Sequence, residues 1–415
     1  LFSLTTNLYS CLLLKYNMLN HRLLASEVQA YLQEHLSEEV SQFALRKSPF
    51  EDVSASELAQ QLLGRQKAKD KLPLWLVTKG IYFPEKLSLE QASSEATARY
   101  KASLVGEGTL LDATGGFGVD DYFFAQRCQE VTHCELQEEL SEIVAHNFAV
   151  LRAHIHCVAE DSYAYLAREG THYDVIYLDP ARRDTHKHKV FFLEDCTPDV
   201  PHSLDFLWQY TDTILLKASP MLDISRALTQ LSQTHEVHIV AVEGEVKELL
   251  FLLKKTPLTS EVQIKTVNML PTRTDIFSFF RSEIDQKDIP MTRGYLCRYL
   301  YEPNAALVKG KGLFPVGQAY GLAYLNKDSQ LLLGENYIPD FPGRVFLIDE
   351  ILPYDRKLLK SGKIDQANIT VRNFPMKVAE IRERFSIAEG GNCYLFFTLG
   401  GIGNKLMIIC RKPFV

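Results

Sequence analysis

The chain has 415 residues, of which 46% are hydrophobic and 23% charged, a composition that can fill the cores of two or three globular domains. Its formal net charge of −7 excludes a global basic field, so a nucleic-acid partner would have to meet a local patch. Eight scattered cysteines show neither a CxxC pair nor zinc-ligand spacing, which argues against a metal and favours a reducing cytoplasm. The run Cys11–Leu14 is too short to span a membrane, and no membrane partner is expected.

Residues 1–85 are predicted to form a helical N-terminal module. Apolar side chains recur at helical spacing from Leu23 to Leu36. The stretch Ser54–Glu57 has the pattern of a helix N-terminus and opens a second helix. We assign no function to residues 1–17, because Met18 begins the first ordinary helical sequence.

Residues 86–283 alternate strand-like apolar runs with helical stretches, which predicts a Rossmann-like α/β domain built on a seven-stranded, doubly wound sheet. Glu245–Leu253 is interpreted as helical and Ile264–Met269 as a candidate extra strand, with an antiparallel strand expected at the end of the sheet. The seven runs are Thr109–Leu111, Glu130–Cys134, His154–Val158, Asp174–Leu178, Thr213–Lys217, Val237–Val242 and Ile276–Phe280.

Prolines and glycines interrupt the chain after Ile284, so residues 284–344 are interpreted as a connecting region. Residues 345–415 predict a small α+β domain. A strand and a turn are followed there by a helix over Met376–Phe385 and by two final strands, Tyr394–Leu399 and Lys405–Arg411.

The most informative stretch is Thr109–Asp120, in which an apolar strand ends at Asp112, a glycine-rich turn follows, and a helix begins at Val119. Glycine permits positive φ and lets a ligand approach the backbone closely. The helix N-terminus offers N–H groups to lone pairs or negative charge. Dinucleotides and S-adenosylmethionine are both bound in this way, so the loop alone does not choose between them.

Three further strand ends carry polar residues at the edge where α/β sheets bind their ligands. Glu135 can accept hydrogen bonds from both ribose hydroxyls, and Glu160–Ser162 offers a carboxylate to an adenine amino group. Asp179 precedes Pro180, whose fixed backbone leaves a rigid set of acceptors. Such a set can hold an exocyclic amine with its lone pair aimed at a methyl sulfonium, the positioning that methyl transfer needs.

In these residues the chain resembles a class I S-adenosylmethionine-dependent methyltransferase. The loop Asp112–Asp120 is similar to the cofactor loop of bacterial 16S rRNA guanine-N2 methyltransferases, and Gln91–Ala98 to the segment before that loop in the trimethylguanosine synthase group. Asp179–Arg183 stands where class I enzymes acting on planar amines carry an Asp/Asn-Pro-Pro-aromatic motif. Tyr299–Asn304 and residues 345–415 resemble bacterial proteins that join such a domain to a C-terminal THUMP-like domain.

The resemblance implies S-adenosylmethionine as the cofactor and a role for each matched residue. Asp179 and Pro180 would receive the target amine. The candidate cofactor-binding residues, from the methionine end through the ribose to the adenine, are Asp112, Thr114, Gly115, Gly116, Gly118, Glu135, Asp161 and Ser162.

The chain also departs from the family pattern. Thr114 replaces the first glycine of the usual loop, and Ala181 and Arg182 replace the second proline and the aromatic residue, which leaves the methylated atom open. Methylation at pyrimidine C5 needs a cysteine nucleophile. Ala218 stands where related RNA enzymes place that cysteine, so methylation of nitrogen is favoured.

Basic residues near the candidate site predict contacts with substrate phosphates. The run Arg182–Lys189 leaves the site directly, and Arg182 could instead stack on a base. Lys217 ends a buried strand, where we expect it to pair with a carboxylate or a phosphate. Lesser candidates are Arg356–Lys363 and the pair Lys309 and Lys311. The candidate substrate-binding residues are therefore Arg182, Arg183, Lys187 and Lys217.

We therefore expect a cytoplasmic methyltransferase that modifies a nucleobase nitrogen, guanine N2 foremost, in structured RNA. A tRNA or rRNA substrate follows only by analogy with proteins that carry THUMP domains. One alternative is a nicotinamide-dependent oxidoreductase, although Gly115–Gly118 does not match its Gly-x-Gly-x-x-Gly fingerprint. The other is a non-catalytic RNA-binding protein that retains the fold.

Overall fold

A computed structural model describes residues 19–182, 192–256, 261–285, 297–326, 328–360 and 364–413. The chain divides into two compact units. The first comprises Leu1–Lys217 with Leu253–Thr256, and the second comprises Ala218–Leu252 with Pro257–Val415. Within the described ranges, no helix has both the length and the apolar character needed to cross a membrane.

The first unit begins with helices, as the sequence predicts. Ser54 caps the longest of them: its hydroxyl accepts from the Glu57 N–H, and the Glu57 carboxylate accepts from the Ser54 N–H. A 3₁₀ turn at His21–Leu24 precedes α1 (Ser26–Glu34), α2 (Val40–Ala44), α3 (Ala55–Lys71), α4 (Pro73–Val77), α5 (Lys86–Gln91) and α6 (Glu95–Ala102).

A parallel sheet follows in the same unit. Its strands and those of a small ribbon are β1 (Thr109–Asp112), β2 (Glu130–Cys134), β3 (His156–Val158), β4 (Val175–Leu178), β5 (Ala181–Arg182), β6 (Cys196–Thr197) and β7 (Thr213–Ala218). The intervening helices are α7 (Val119–Phe124), α8 (Glu138–Leu151), α9 (Ser162–Glu169), a 3₁₀ turn (Leu193–Asp195) and α10 (Val200–Leu207).

The order of the parallel strands is β3-β2-β1-β4-β7, which is the doubly wound order that places ligands at the carboxyl ends of the strands. Strands β5 and β6 form a separate antiparallel ribbon. Residues 253–256 complete the first unit beside β7, where the Lys255 N–H donates to the Asp212 carbonyl at 3.0 Å.

The second unit corrects one prediction. Glu245–Leu253, interpreted from the sequence as helical, belongs to strand β9 (Glu245–Lys254), which follows β8 (Thr234–Val242). Glu243 and Gly244 between the two strands have φ of 51° and 82°, the geometry of a two-residue hairpin. Helix α11 (Ile224–Gln230) precedes this hairpin.

Two more strands extend this part of the second unit. Strand β10 (Gln263–Met269) pairs parallel with β8, and β11 (Thr274–Phe280) pairs antiparallel with β10, so the order is β9-β8-β10-β11. The candidate strand over Ile264–Met269 and the antiparallel final strand are thus confirmed. A 3₁₀ turn occupies Arg281–Asp285.

The C-terminal part of the second unit is a seven-stranded mixed sheet with the order β13-β14-β12-β15-β18-β17-β16. The predicted helix and the two predicted final strands are confirmed. The elements are β12 (Tyr299–Pro303), α12 (Ala305–Lys309), α13 (Leu313–Tyr320), β13 (Ala323–Asn326), β14 (Leu331–Gly334), β15 (Gly343–Pro353), α14 (Arg356–Lys360), β16 (Asn368–Val371), α15 (Val378–Phe385), β17 (Tyr394–Leu399) and β18 (Lys405–Arg411).

Successive residues of this sheet face two separate cores. Phe396 packs with Leu300 and Phe346 on one face, whereas Phe397 packs with Ile381 and Phe385 on the other. This alternation is the period of two that a strand imposes. Strand β12, from the predicted connecting region, pairs antiparallel with β15, so one sheet contains residues from both segments.

Candidate cofactor and acceptor site

The loop after β1 is joined to the loop after β4 through Thr114. Asp112 is buried, and its Oδ1 accepts from the Thr114 backbone N–H at 2.8 Å and from the Thr114 hydroxyl at 3.2 Å. The same hydroxyl accepts from the Asp179 N–H at 2.7 Å. Thr114 therefore replaces a glycine of the family pattern with a side chain that connects the two predicted parts of the site.

The glycines of the loop are required by their surroundings. A Cβ on Gly115 would lie 2.2 Å from Cε1 of His133. Gly118 has φ of 68°, and a Cβ there would lie 2.5 Å from the Phe148 ring. The structure brings Gly115, Gly118 and Asp112 together as the sequence predicts, and the missing side chains leave room for the His133 and Phe148 rings.

Glu135 lies at the carboxyl end of β2, beside the glycine loop. Its carboxylate accepts from the Gly116 N–H at 2.9 Å and from the Gln137 N–H at 2.8 Å, one bond on each oxygen. A carboxylate oxygen has a second acceptor position, so both oxygens can still accept from hydroxyl groups. The next residue, Leu136, has 69% of its surface exposed. No motif in the sequence marks this exposed apolar side chain.

The loop after β3 reaches the same edge of the sheet, because the Glu135 N–H donates to the Val158 carbonyl at 3.0 Å. Asp161 caps α9, with its Oδ1 accepting from the Ala164 N–H at 2.9 Å, and Ser162 is buried. Asp161 thus has a structural task in addition to the adenine contact that the sequence predicts.

Asp179 and Lys217 form the predicted acceptor region, at the ends of the neighbouring strands β4 and β7. The Lys217 Nζ lies 2.5 Å from the Asp179 Oδ2, and the two side chains are 13% and 34% exposed. The expected pairing of Lys217 with a carboxylate is confirmed. Pro180 is half-buried and Arg182 is exposed on β5, whereas Arg183 and Lys187 lie outside the described residues.

The other basic candidates belong to the second unit. Lys309 donates from Nζ to the Leu222 carbonyl at 2.9 Å, so its ammonium is used inside the fold. Arg356 and Lys357 are exposed at the start of α14, and Lys363 lies outside the described residues.

A buried polar network surrounds Asp120, in the first turn of the helix that follows the glycine loop. No motif in the sequence indicates it. Lys101 is fully buried, and its Nζ lies 3.2 Å from the Asp120 Oδ1. The Asp120 Oδ2 accepts from the Ser93 hydroxyl and from the Tyr177 hydroxyl, each at 2.8 Å. Burial alone would raise the pKa of Asp120, but the ammonium groups of Lys101 and Lys217 outweigh it and hold that pKa below its ordinary value.

The network gives a physical reason for the sequence similarity at Gln91–Ala98. Ser93 hydrogen-bonds to Asp120 in the first turn after the glycine loop. Glu95 accepts from the Leu74 N–H at 2.5 Å, at the start of α4. The segment therefore connects the N-terminal helices to the glycine loop. The resemblance to known methyltransferases pointed to this segment, whereas the spacing of its residues did not.

A second buried cluster consists of Asp112, Asp121 and His133. The His133 Nδ1 lies 2.7 Å from the Asp121 Oδ2, and both side chains are fully buried. Burial, together with the charge of a neighbouring aspartate, raises the pKa of Asp112 and that of Asp121 well above the ordinary range. Burial also lowers the pKa of His133. The buried surroundings therefore favour the neutral forms of Asp112, Asp121 and His133.

The helical N-terminal segment contributes a lysine to this region. Lys71, the last residue of α3, donates from Nζ to the carbonyls of Leu89 and Glu90, each at 2.9 Å. Burial lowers its pKa to about 8, and the nearby charge of Lys217 adds to that effect. Lys71 lies more than 100 residues before Lys217 in the chain, so no local sequence pattern could have linked them.

The chain is similar to two family models in its C-terminal part and to a solved structure over most of its length. A family model described as THUMP domain-like matches residues 343–412, and one described as a ferredoxin-like domain matches residues 299–342. No curated protein sequence matches the chain. A crystal structure of a protein assigned as a methyltransferase, from Porphyromonas gingivalis W83, is 32% identical over 92% of this chain and 97% of that one, with a TM-score of 0.84.

Two more distant structures are also similar. A protein from Listeria monocytogenes that is assigned as a class I S-adenosylmethionine-dependent methyltransferase is 10% identical over 58% of this chain and 93% of its own, with a TM-score of 0.38. TrmK from M. capricolum, in complex with S-adenosyl-homocysteine, is 9% identical over 39% of this chain and 68% of its own, with a TM-score of 0.31. At these scores neither likeness bears on activity.

Proposed function

Because this chain belongs to the family of the Porphyromonas gingivalis methyltransferase, we propose that it is an S-adenosylmethionine-dependent methyltransferase that modifies a nucleobase nitrogen in structured RNA, guanine N2 foremost. Its fold is that of the class I methyltransferases, with a THUMP-like domain at the C-terminus. The observation that carries the proposal is the bond between the Asp179 N–H and the Thr114 hydroxyl, since it fixes the acceptor loop against the glycine loop.

The residues around the glycine loop suit S-adenosylmethionine. Gly115 lets the loop pack directly against the His133 ring, where a Cβ would collide, and the Glu135 carboxylate keeps free acceptor positions for ribose hydroxyls. Bound S-adenosylmethionine would supply an electrophilic methyl group. The residues that would hold it are Asp112, Thr114, Gly115, Gly116, Gly118, Glu135, Asp161 and Ser162.

The acceptor residues would position an amine rather than activate it strongly. The Asp179 carboxylate would accept a hydrogen bond from the exocyclic amine, and the Pro180 carbonyl would orient the second N–H. Lys217 would hold the Asp179 side chain in place through the ion pair. Asp179 is also suited to receive the proton that the amine loses after methylation.

An RNA substrate is supported by basic side chains and by the C-terminal domain. Arg182 is exposed three residues after Asp179, where it could contact a phosphate or stack on a base. The THUMP-like match over residues 343–412 and the exposed Arg356 and Lys357 favour tRNA or rRNA. We place the protein in the cytoplasm, as its cysteine usage predicts.

Calorimetric titration of the purified protein with S-adenosylmethionine, S-adenosylhomocysteine and NADH tests the cofactor. We expect micromolar binding of the two sulfur ligands and no binding of NADH. Transfer of a labelled methyl group to unmodified tRNA and rRNA, with the product nucleoside identified by mass spectrometry, tests the substrate. Binding of NADH alone would favour the oxidoreductase, and cofactor binding without transfer to any RNA would favour a non-catalytic protein.

A further inference from the structure

We propose that Arg344 and Arg372 of the second unit, both held by the carboxylate of Glu302, form a binding site for a phosphate group of the RNA backbone. The proposal rests on the proposed function for the identity of the ligand, and it places an RNA contact in the second unit. Glu302 lies in Tyr299–Asn304, a stretch that resembles bacterial THUMP-like proteins and that the proposed function does not use.

The first argument is the way in which one carboxylate holds both arginines. Glu302 is buried on β12. Its Oε2 lies 2.7 Å from Nε and 2.5 Å from Nη2 of Arg344, and its Oε1 accepts from Nη2 of Arg372 at 3.0 Å. The two guanidinium groups are therefore adjacent and fixed in position. Together they carry one positive charge more than the single carboxylate cancels.

The second argument is that both arginines keep donors for a ligand. A guanidinium group has five N–H donors, and the Glu302 carboxylate uses two from Arg344 and one from Arg372. The Arg372 Nε has no partner among the described residues, which is unusual for a buried donor. The Arg344 and Arg372 side chains are 57% and 36% exposed. Because Glu302 is buried, a ligand would meet the guanidinium groups first.

The third argument is that the excess charge is specific to this pair. Two other arginines of the second unit each have a carboxylate of their own. Arg411 pairs with Asp349 at 2.9 Å, and Arg273 pairs with Asp275 at 2.8 Å. In contrast, Glu302 is shared by two arginines. An additional anion would complete the balance of charge at this point and at neither of the others.

The chemistry of the pair suits a phosphate group. A guanidinium group is planar, and its paired N–H groups match two oxygens of a phosphate. The Arg344 guanidinium also lies over the Phe346 ring, 5.4 Å from its centroid, a contact that further fixes its position. Side chains that are fixed before the ligand binds lose little conformational entropy on binding. The backbone of the proposed RNA substrate supplies such phosphates along its whole length.

Single substitutions in the full-length protein test the proposal. Arg344→Gln and Arg372→Gln each remove one guanidinium group and leave Glu302 paired with the other arginine. Arg344→Lys keeps the charge but removes the planar group. Arg411→Gln is the matched control, because it removes the same charge and an ion pair from the same sheet, at a side chain that is 59% exposed. Circular dichroism and thermal unfolding check that each variant folds.

The measurement is the binding of unmodified tRNA and rRNA transcripts, followed by fluorescence anisotropy at several salt concentrations. We expect Arg344→Gln and Arg372→Gln each to weaken the affinity about fivefold to tenfold and to reduce the salt dependence by about one ion. Arg344→Lys should recover part of the affinity, since it restores the charge but not the paired donors. Arg411→Gln should bind as the wild-type protein does.

The site and the proposed function can fail separately. If the two variants lose affinity but the wild-type protein transfers no methyl group to any RNA, the proposed reaction is wrong and the phosphate site is supported. If the wild-type protein methylates RNA and both variants bind the transcripts as tightly as Arg411→Gln, the phosphate site is overturned. Failure of the wild-type protein to bind either transcript also overturns it.

Discussion

Asp179 and Lys217 end two neighbouring parallel strands, and their side chains meet in an ion pair with an Nζ–Oδ2 distance of 2.5 Å. The pair holds the carboxylate of the acceptor loop in one place while leaving a third of it exposed. A charged group held in this way can orient an amine without being displaced by it.

We expect Asp179→Asn to lower the rate of methyl transfer about a hundredfold or more, because the neutral amide accepts the amine N–H more weakly than the carboxylate and holds the nitrogen lone pair less firmly toward the methyl group. The affinity for S-adenosylhomocysteine should stay within about threefold, since the amide has the shape of the carboxylate. Single-turnover transfer and calorimetry measure the two quantities. The exposed Asp205→Asn is the control, and equal turnover in the two variants would contradict the role of Asp179.

Gly115→Ala should lower the free energy of unfolding by about 1–3 kcal/mol, because its Cβ would overlap the buried His133 ring. It should also weaken binding of S-adenosylhomocysteine, since the loop must shift. Urea unfolding and calorimetry provide the measurements. Gly106→Ala is the matched control, because a Cβ there would meet nothing within 4 Å. A loss as large at Gly106 would show that the His133 contact is not the cause.

Lys101→Met should lower the free energy of unfolding by about 3–5 kcal/mol, since it removes one partner of a buried ion pair and leaves the Asp120 charge without its nearest cation. The double variant Lys101→Met with Asp120→Asn should recover part of that loss. Denaturant unfolding of the wild-type protein, of Lys101→Met, of Asp120→Asn and of the double variant gives the coupling free energy. If the two substitutions add independently, the pair is not energetically coupled.

The buried cluster of Asp112, Asp121 and His133 predicts a pH dependence of stability. Folding raises the pKa of Asp121, so the folded state favours the protonated carboxyl. The contribution of Asp121 to the free energy of unfolding therefore falls as the pH rises from the unfolded pKa of about 4 toward the folded pKa. Asp121→Asn removes this term and keeps an acceptor for the His133 Nδ1–H. The wild-type protein should therefore lose stability relative to the variant as the pH rises above about 4.

Urea unfolding of both proteins between pH 4 and pH 8 measures that difference. His133 acts in the opposite direction, because its lowered pKa makes stability rise with pH up to about 6.5. Above that pH its contribution is constant, so the difference between the two proteins there reports Asp121. The exposed Asp70→Asn is the control. If the free energy of unfolding depends on pH in the same way in the wild-type protein and in Asp121→Asn, Asp121 is not the source of the loss of stability.

The sequence predicted most strands because short apolar runs bounded by turns are a local signal, but it misplaced Glu245–Leu253. That stretch is rich in Leu, Glu and Lys, which favour helices. Its middle residues are buried within a hairpin that follows the two positive-φ residues Glu243 and Gly244. Tertiary burial outweighed helix propensity, and the Glu-Gly pair was the one local sign of the turn.

The candidate site was predictable where its residues follow strand ends, since topology alone brings Asp112, Glu135 and Asp179 to one edge of the sheet. Ser93 and Lys101 were not predictable from spacing, because they contact Asp120 from the loop before α6 and from α6 itself, whose packing depends on contacts far along the sequence. The sequence also predicted that Lys217 pairs with an anion, but it could not distinguish a carboxylate from a phosphate. The structure shows the carboxylate of Asp179 as the partner.

The antiparallel pairing of β12 with β15 has a practical consequence for dissecting the C-terminal part of the chain. The ferredoxin-like match ends at residue 342 and the THUMP-like match begins at 343, yet the strands on either side of this boundary share one ladder of hydrogen bonds. Glu302 of β12 is also paired with Arg344 and Arg372. A fragment that starts at residue 343 would lack β12, so the edge of β15 would be exposed and prone to aggregation. Arg344 and Arg372 would also lose the carboxylate of Glu302. The two segments are inseparable as a folding unit.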